Sequence, residues 1–195
     1  MITQLRGRLV EKNPTQAVVD CNGVGYLLHI SLHTYSALGA DENILIYTHL
    51  VVREDAQILY GFATKEERET FRQLISVSGV GPSTAQMICS SLTPGEIRKA
   101  ILDGNVGLLK SIKGIGAKSA ERLIVDLRDK IGKSVNLAPV AGMEAAGSVR
   151  DEAVAALAQL GINRVQAERA VEKGLKEAGQ EGRVEDVIKV ALKNL

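Results

Sequence analysis

Two Gly-x-Gly segments are the first feature of this sequence with a clear chemical use. They are Gly79-Val80-Gly81 and Gly114-Ile115-Gly116, and they lie 35 residues apart. Apolar or small residues follow each segment at helical spacing: Ala85, Ile88, Cys89 and Leu92 after the first, and Ala120, Leu123, Ile124 and Leu127 after the second. The first N–H groups of a helix have no partner within it and lie at the positive end of its dipole. Each segment is therefore predicted to present main-chain donors to an anionic oxygen such as that of a phosphate.

The two segments belong to an internal repeat that covers residues 71–127. Matched pairs, from Leu74 and Leu109 to Leu92 and Leu127, keep the same offset of 35 residues. A constant offset over about ten positions needs a structural cause. We expect each copy to be two helices joined by a glycine turn, because glycine adopts backbone angles that a side chain forbids.

Nucleotide-binding interpretations of the glycines fail on their context. A dinucleotide-binding loop follows a strand and ends in a third glycine, whereas helical periodicity precedes both segments and Ala85 and Ala120 hold the third position. Ala117-Lys118-Ser119 lacks the upstream glycine of an ATP-binding loop. We therefore expect no cofactor. Two tight turns without any ligand remain an alternative, although Lys113, Lys118 and Arg122 around the second segment favour an anion.

The distribution of charge supports binding to a polyanion only weakly. The net charge is +1; residues 1–62 carry four Lys/Arg and six Asp/Glu, residues 63–131 carry eleven and eight, and the remainder balances. The positive excess thus lies on the repeat. Because it is modest, one copy should bind DNA weakly and in a salt-sensitive manner, and tight binding would need several copies.

The totals indicate a globular protein of the cytoplasm. Hydrophobic residues make up 45% and charged residues 24% of the 195 residues, and we find neither a secretion signal nor a membrane-spanning run. Cys21 and Cys89 have no metal or disulfide spacing, and we interpret both as buried thiols of a reducing compartment.

Residues 1–62 have the pattern of short strands. Asn22-Gly23 is a strong hairpin signal between two of them, residues 44–52 and 57–62 form a second pair, and residues 32–38 can form a short helix between the pairs. Three strands, a helix and two strands match the order of an OB-fold barrel, a common nucleic-acid scaffold. A barrel that serves only as a structural or oligomerising platform remains open.

Helix-start signals and a change of composition divide the rest of the chain. Thr64 and Glu67 have the spacing of a capping box, and Ser148 and Asp151 resemble one. Thr93-Pro94-Gly95-Glu96 predicts the start of the helix that links the two copies, with Pro94 at its first position. Residues 132–147 are rich in Ala and Gly and read as a flexible linker. Residues 148–195 predict three short helices with breaks at Gly161, where Asn163 is the next cap, and at residues 179–182. This bundle, balanced in charge, suits docking of a partner protein; a cap that only stabilises the chain is the alternative.

Duplicated hairpins of this kind resemble the helix-hairpin-helix motif, which holds the backbone of DNA without reading its bases. Two further stretches carry a closer resemblance: Val51-Val52-Arg53-Glu54-Asp55-Ala56-Gln57 with Leu59-Tyr60-Gly61-Phe62, and Ala120-Glu121-Arg122-Leu123-Ile124-Val125. They are similar to the RuvA family of bacterial Holliday-junction-binding proteins. The resemblance covers nearly the whole chain and is specific in its first two thirds.

This resemblance implies an α+β protein of four segments without metal, cofactor or catalytic activity. Residues 1–63 would be the OB-fold barrel, 64–131 the tandem helix-hairpin-helix domain, 132–147 the linker and 148–195 a bundle similar to ubiquitin-associated domains. The implied partners are a four-way DNA junction and the RuvB motor, which hydrolyses ATP to drive branch migration and engages the bundle. The chain would form a tetramer that matches the four arms, and an octamer and the RuvC resolvase remain open additions.

The resemblance also assigns roles to individual residues. The hairpin amides of Gly79, Val80, Gly81, Gly114, Ile115 and Gly116 would bind DNA, together with Ser83, Lys118 and Arg122. Glu54 and Asp55 would form an acidic pin that keeps the exchanging strands apart; taken alone, they are an ordinary charged turn. Relatives usually carry lysine at positions 83 and 117, where this chain has Ser83 and Ala117. We therefore expect fewer phosphate contacts at the first hairpin.

Two rival functions and one metal site deserve weighing against this interpretation. A helix-hairpin-helix glycosylase or nuclease would use an aspartate such as Asp126 or Asp129, but 3% aromatic residues leave little for a base pocket. An RNA-binding protein built on the barrel is the second rival. His29 and His33 have a spacing found in zinc sites, without the sequence context that accompanies it, and His49 reads as structural.

Overall fold

A computed structural model describes residues 1–39, 42–135, 149–178 and 183–194 of the chain. The chain forms two compact units, Met1–Leu137 and Ala138–Leu195. All the strands within the described residues belong to the first unit.

The first unit begins with a closed five-stranded barrel. Its strands are β1 (Gln4–Asn13), β2 (Gln16–Cys21), β3 (Val24–Ile30), β4 (Asn43–Val52) and β5 (Gln57–Phe62), and α1 (Leu32–Ala37) lies between β3 and β4. They close in the order β1-β2-β3-β5-β4, with β3 and β5 parallel and the other neighbours antiparallel. The predicted barrel, its short helix and the α+β class are confirmed.

Local sequence explains how the barrel is built. Asn22 and Gly23 have φ of 55° and 88°, the paired positive values of a type I′ turn, so β2 and β3 form the predicted hairpin. Strand alternation then places Val19, Leu28 and Ile46 inside the barrel, where they are fully buried.

Five helices complete the first unit: α2 (Lys65–Ile75), α3 (Pro82–Ser91), α4 (Pro94–Leu102), α5 (Val106–Lys110) and α6 (Ala117–Val135). The apolar stripes of both repeat copies meet in one core, which also contains Tyr60 and Phe62 of the barrel. The ring of Phe71 lies 4.9 Å from that of Tyr60 and 5.0 Å from that of Phe62, centroid to centroid. The segment boundary at residue 63 therefore falls within a continuous core.

The end of α6 differs from expectation. The helix runs to Val135, so residues 132–135 continue it and do not begin a linker. A single glycine such as Gly132 costs a helix about 1 kcal/mol relative to alanine, and packing along the rest of a long helix can offset that cost. Residues 136–147 and Ser148 lie outside the described residues, and the linker stays a prediction.

The helix starts predicted at Thr93 and Thr64 are both confirmed, but their caps differ. At α4 a complete capping box forms: the N–H of Thr93 donates to Glu96 Oε2 (2.8 Å), and the N–H of Glu96 donates to Thr93 Oγ1 (3.3 Å). At α2 only half of it forms. The N–H of Glu67 donates to Thr64 Oγ1 (3.1 Å), but the Glu67 side chain is buried and accepts hydrogen bonds from Ser31 and Thr34. The capping box predicted at Thr64 is therefore wrong in this half.

The second unit contains α7 (Val149–Gln159), α8 (Arg164–Ala178) and α9 (Val184–Lys193). The predicted break and cap are confirmed, since Gly161 has φ of 89° and Asn163 Oδ1 accepts from the N–H of Val165 (3.0 Å). A Cβ at Gly174 would lie 2.7 Å from the carbonyl oxygen of Val187, so α8 and α9 approach closely. The break predicted at residues 179–182 lies outside the described residues.

Candidate nucleic-acid interface

The two Gly-x-Gly segments form turns with the same backbone path. We call residues 76–81, between α2 and α3, the first turn, and residues 111–116, between α5 and α6, the second turn. In the first, the N–H of Val80 donates to Val77 O (3.0 Å); in the second, the N–H of Ile115 donates to Ile112 O (3.1 Å). The helix that follows each turn opens with the same bond to the second glycine, 2.9 Å long in the first copy and 3.0 Å in the second. The predicted repeat is thus a repeat of backbone geometry.

The backbone conformation of these turns requires glycine at positions 79 and 114. Their φ values are 88° and 92°, in the left-handed region, and a Cβ at either would meet nothing within 4 Å. A side chain would have room, but an L-residue pays about 1–2 kcal/mol for this backbone conformation.

The amides of Val80 and Ile115 do not face outward as expected. Both N–H groups donate within their turns, and both side chains are buried, 5% and 6% exposed. We therefore correct the expectation that these two amides are DNA-binding donors. Each N–H closes its turn by donating to the carbonyl three residues earlier. The buried side chains of Val80 and Ile115 anchor the turns in the core.

Free donors lie instead at the second glycines and the first residues of the following helices. Others lie within the turns, where the N–H groups of Ser78, Gly79, Lys113 and Gly114 have no hydrogen-bond partner among the described residues. The helix start of the first copy has three such groups, those of Gly81, Ser83 and Thr84, and the helix start of the second copy has four, those of Gly116, Ala117, Lys118 and Ser119. All eleven residues are exposed or half-exposed. The difference arises from Pro82, which has no N–H to offer.

Sequence reasoning named the glycines, Ser83 and Lys118 but missed Thr84, Ala117 and Ser119. The signal for them was the point at which each helix begins, directly after the second glycine. That point fixes which N–H groups lack a partner four residues earlier.

Cations surround the second turn. Lys118 is exposed, with no carboxylate within 4 Å of its ammonium among the described residues. Arg122 Nε lies 3.7 Å from Asp126 Oδ2 in an exposed pair. Such pairs contribute about 0–1 kcal/mol, so this one leaves Arg122 able to bind a phosphate. The exposed Lys113 lies within the turn itself.

The first turn has no basic side chain of its own. The sequence contains no lysine or arginine between Arg72 and Arg98. From α6, Lys130 Nζ donates to Ser76 Oγ (3.2 Å), where the first turn begins. The two turns therefore share a backbone but differ in charge, as the substitution at Ser83 led us to expect.

The acidic residues lie at the tip of the β4–β5 hairpin. We call residues 53–56 the acidic loop; the N–H of Arg53 donates to Ala56 O (2.8 Å), and the side chains of Glu54 and Asp55 are both exposed. Burial raises the pKa of nearby Tyr60, while the charge of Arg53 and a hydrogen bond with Ser83 oppose the rise. The pKa of Tyr60 is thus affected both by Arg53 of the acidic loop and by Ser83 at the start of α3.

The histidines lie in a structural setting. His29 packs against Tyr60, with ring centroids 5.8 Å apart, and His49 packs against Phe71 at 5.7 Å. Burial, then the charges of Arg72 and Arg68, lowers the pKa of His49. Across the described ranges, no group of three or more His, Cys, Asp or Glu side chains is placed to hold a metal ion.

The structure also bears on the expectations for the cysteines, for an ATP-binding loop and for Asp126 and Asp129. Cys89 is buried as expected, and burial followed by the charge of Glu67 raises the pKa of its thiol. Cys21 is only half-buried, which corrects our expectation that both thiols are buried. Cys21 is the last residue of β2, directly before the exposed turn at Asn22 and Gly23. Gly-Lys-Ser at residues 132–134 lies in α6, and Leu127 stands where an ATP-binding loop has its first glycine. Asp126 is half-exposed, and the side chain of Asp129 is outside the described part. In the parts of the chain that the structure describes, no helix could cross a bilayer.

A closed barrel followed by two equivalent glycine turns with outward amides defines a tandem helix-hairpin-helix protein. Comparison with family models agrees: residues 71–129 match the SAM-like helix-hairpin-helix tandem, residues 1–61 match the RuvA N-terminal domain, and residues 148–195 match the RuvA C-terminal domain. The chain belongs to the RuvA family.

Full-length relatives support this assignment. A protein of Christiangramia forsetii is 52% identical over 195 residues, and one of Flavobacterium psychrophilum is 48% identical, each alignment covering 100% of both chains. A Neisseria meningitidis protein is 45% identical over 199 residues, covering 100% of this chain and 99% of its own. All three are named Holliday junction branch migration complex subunit RuvA.

Proposed function

We propose that this protein binds four-way DNA junctions by their sugar-phosphate backbone and holds them for a branch-migration motor in recombination and DNA repair. The observation that carries the proposal is the pair of equivalent turns on one compact unit, each with outward N–H groups at a helix start. Every nucleotide offers the same phosphate oxygens, so such donors hold DNA of any sequence. The names of these relatives point to the same substrate.

Affinity in this proposal depends on several copies acting together. The donors of one chain are few, and the segment of residues 63–131 has only three more basic than acidic residues. A homotetramer would place one copy on each arm of a junction, which converts weak contacts into tight binding. An octamer would enclose the junction from both faces.

The acidic loop would act at the centre of the junction. Exposed carboxylates on Glu54 and Asp55 repel phosphates at short range. Four such loops at the crossover would keep the exchanging strands apart and disfavour continuous duplex there. Selectivity for the junction would thus come from repulsion, and affinity from the turns.

The helical bundle of the second unit would recruit the motor. Its helices bury a core of their own, and the charges of residues 148–195 balance, which suits a protein partner better than DNA. In this proposal the RuvB-type partner hydrolyses ATP, this chain is not catalytic, and the RuvC resolvase can join the complex. The assembly would work in the cytoplasm, with the chromosome.

A binding comparison tests the proposal. Fluorescence anisotropy with the pure protein should show tighter binding to a synthetic four-way junction than to linear duplex of the same arms, for two unrelated base sequences. A mass measurement on the complex should give four or eight copies. Equal affinity for junction and duplex would contradict the proposal; cleavage of the DNA would favour a helix-hairpin-helix enzyme, and preference for RNA loops would favour an RNA-binding barrel.

A further inference from the structure

A buried carboxylate joins the barrel to the first helix of the hairpin domain. Glu67, in the first turn of α2, is 3% exposed, and Ser31 and Thr34, at the start of α1, are both fully buried. Thr34 Oγ1 donates to Glu67 Oε2 (2.7 Å), and Ser31 Oγ donates to Glu67 Oε1. Both carboxylate oxygens thus accept from hydroxyls of the barrel's helix.

The direction of these hydrogen bonds is fixed by the backbone. Ser31 Oγ already accepts from the N–H of Thr34 (2.9 Å), and Thr34 Oγ1 accepts from the N–H of Ala63 (3.0 Å). Each hydroxyl has one proton, and both protons point to Glu67. The site therefore demands two acceptors on one rigid group, which a carboxylate supplies. It joins the start of α1, the end of β5 and the start of α2.

Much of the surrounding contact is apolar. Phe71 of α2 packs on Tyr60 and Phe62 of the barrel, and such packing stabilises the pair of domains without fixing one orientation. Hydrogen bonds are directional, and a satisfied buried network can specify one arrangement among several of similar packing. Two further polar contacts join the same parts: Arg68 Nη1 of α2 donates to Thr3 O (2.9 Å), and the N–H of Leu32 donates to Ser90 Oγ of α3 (3.3 Å).

Helix α2 connects the buried carboxylate to the first turn, so a change in the tilt of α2 would move that turn. Glu67 lies at one end of its 11 residues and the first turn follows the other end. At about 1.5 Å per residue the helix is roughly 16 Å long, so a tilt of about 10° moves its far end by about 3 Å. A hydrogen bond to phosphate tolerates much less than that. The acidic loop moves with the barrel, whereas the turns move with the helices.

We propose that Glu67, held by Ser31 and Thr34, is a positioning residue that sets the acidic loop at the correct distance from the phosphate-binding turns. This inference rests on the proposed function and deepens it: junction selectivity requires both parts to meet one DNA molecule at a fixed separation. Binding to plain duplex needs the turns alone.

Paired substitutions test the positioning role. Thr34→Val keeps the buried shape but removes the donor to Glu67 and the acceptor of the Ala63 N–H. Thr34→Ser keeps the hydroxyl, and Glu67→Met removes both acceptors. Glu69→Met is the matched control, because Glu69 is an exposed residue of the same helix. Affinities for junction and duplex are measured at a temperature at which thermal unfolding shows every variant folded.

The ratio of the two affinities is the readout, because a role in stability alone would leave it unchanged in folded protein. Thr34→Val and Glu67→Met should lower the preference for junction at least fivefold with duplex affinity within twofold, while Thr34→Ser and Glu69→Met keep it. A Thr34→Val ratio within twofold of the unaltered chain would overturn the inference, even if Glu67→Met does not fold. Absence of junction preference in the unaltered chain would overturn the proposed function itself.

Discussion

Ser83 and Lys118 occupy the same place in the two copies of the repeat: each is the second residue of the helix that follows a glycine turn. Both side chains are exposed. One copy therefore presents a hydroxyl and the other an ammonium beside otherwise similar amides. Under the proposed function, the second turn supplies more of the electrostatic attraction to DNA.

Replacement of Lys118 by alanine should weaken binding about equally for all base sequences. Loss of one phosphate contact should reduce the slope of log affinity against log salt by about one. Lys189→Ala, which removes one positive charge from the second unit, is the control and should change neither quantity. Titrations at several salt concentrations with two unrelated junctions measure both effects. A loss confined to one base sequence would contradict backbone binding.

The reverse experiment applies to the first turn. Ser83→Lys should raise affinity for junction and duplex alike and steepen the salt dependence by about one, because it adds a cation beside the free N–H groups. Ser91→Lys provides a matched control: the same substitution at an exposed serine at the other end of α3. Equal gains from both lysines would mean that overall charge, and not the position at the turn, determines binding.

The acidic loop should govern selectivity. Glu54→Gln together with Asp55→Asn should leave junction affinity within about twofold and strengthen binding to linear duplex, because the repulsion of its phosphates is removed. The adjacent Glu185 and Asp186 in α9 are also exposed, and the same pair of amide substitutions there removes the same charge. Competition between labelled junction and unlabelled duplex measures the ratio. An unchanged ratio in the loop variant would refute the pin assignment.

The glycines of one turn should separate stability from binding. Gly114→Ala should cost about 1–2 kcal/mol of unfolding free energy, because the φ of 92° is unfavourable for a residue with a Cβ. Gly116 has no such angle and open space around it, so Gly116→Ala should unfold normally but bind DNA less tightly, since a methyl group beside a free N–H keeps a phosphate away. Denaturant titration and anisotropy distinguish the two. Full DNA affinity in folded Gly116→Ala would contradict the assigned contact.

Local signals in the sequence predicted much of the fold. The spacing of the repeat predicted both hairpins, Asn22-Gly23 predicted the β2–β3 turn, and Thr93 with Glu96 predicted the start of α4. These signals work because the groups that interact lie within four residues of each other or repeat regularly. The candidate site was predictable to the same extent: the turns and their charges were found, but the inward N–H groups of Val80 and Ile115 were not.

The features that sequence reasoning missed depend on contacts between distant residues. Glu67 has the local signature of a capping box, but its acceptors are used by Ser31 and Thr34, more than thirty positions earlier in the chain. Nothing within one helical turn of Glu67 reveals those partners. The same holds for Lys130 and Ser76, which α6 brings together across 54 positions.

Under the proposed function, the main-chain amides at the glycine turns would allow the DNA to move as well as hold it. Each base-pair step of DNA, once advanced and rotated, presents an equivalent set of oxygens to these amides. The binding free energy would then be nearly the same at every base-pair step, so no register of the DNA would be favoured over the next. A motor that moves the arms across these amides would then meet only small free-energy barriers, and the DNA could advance while it stays bound.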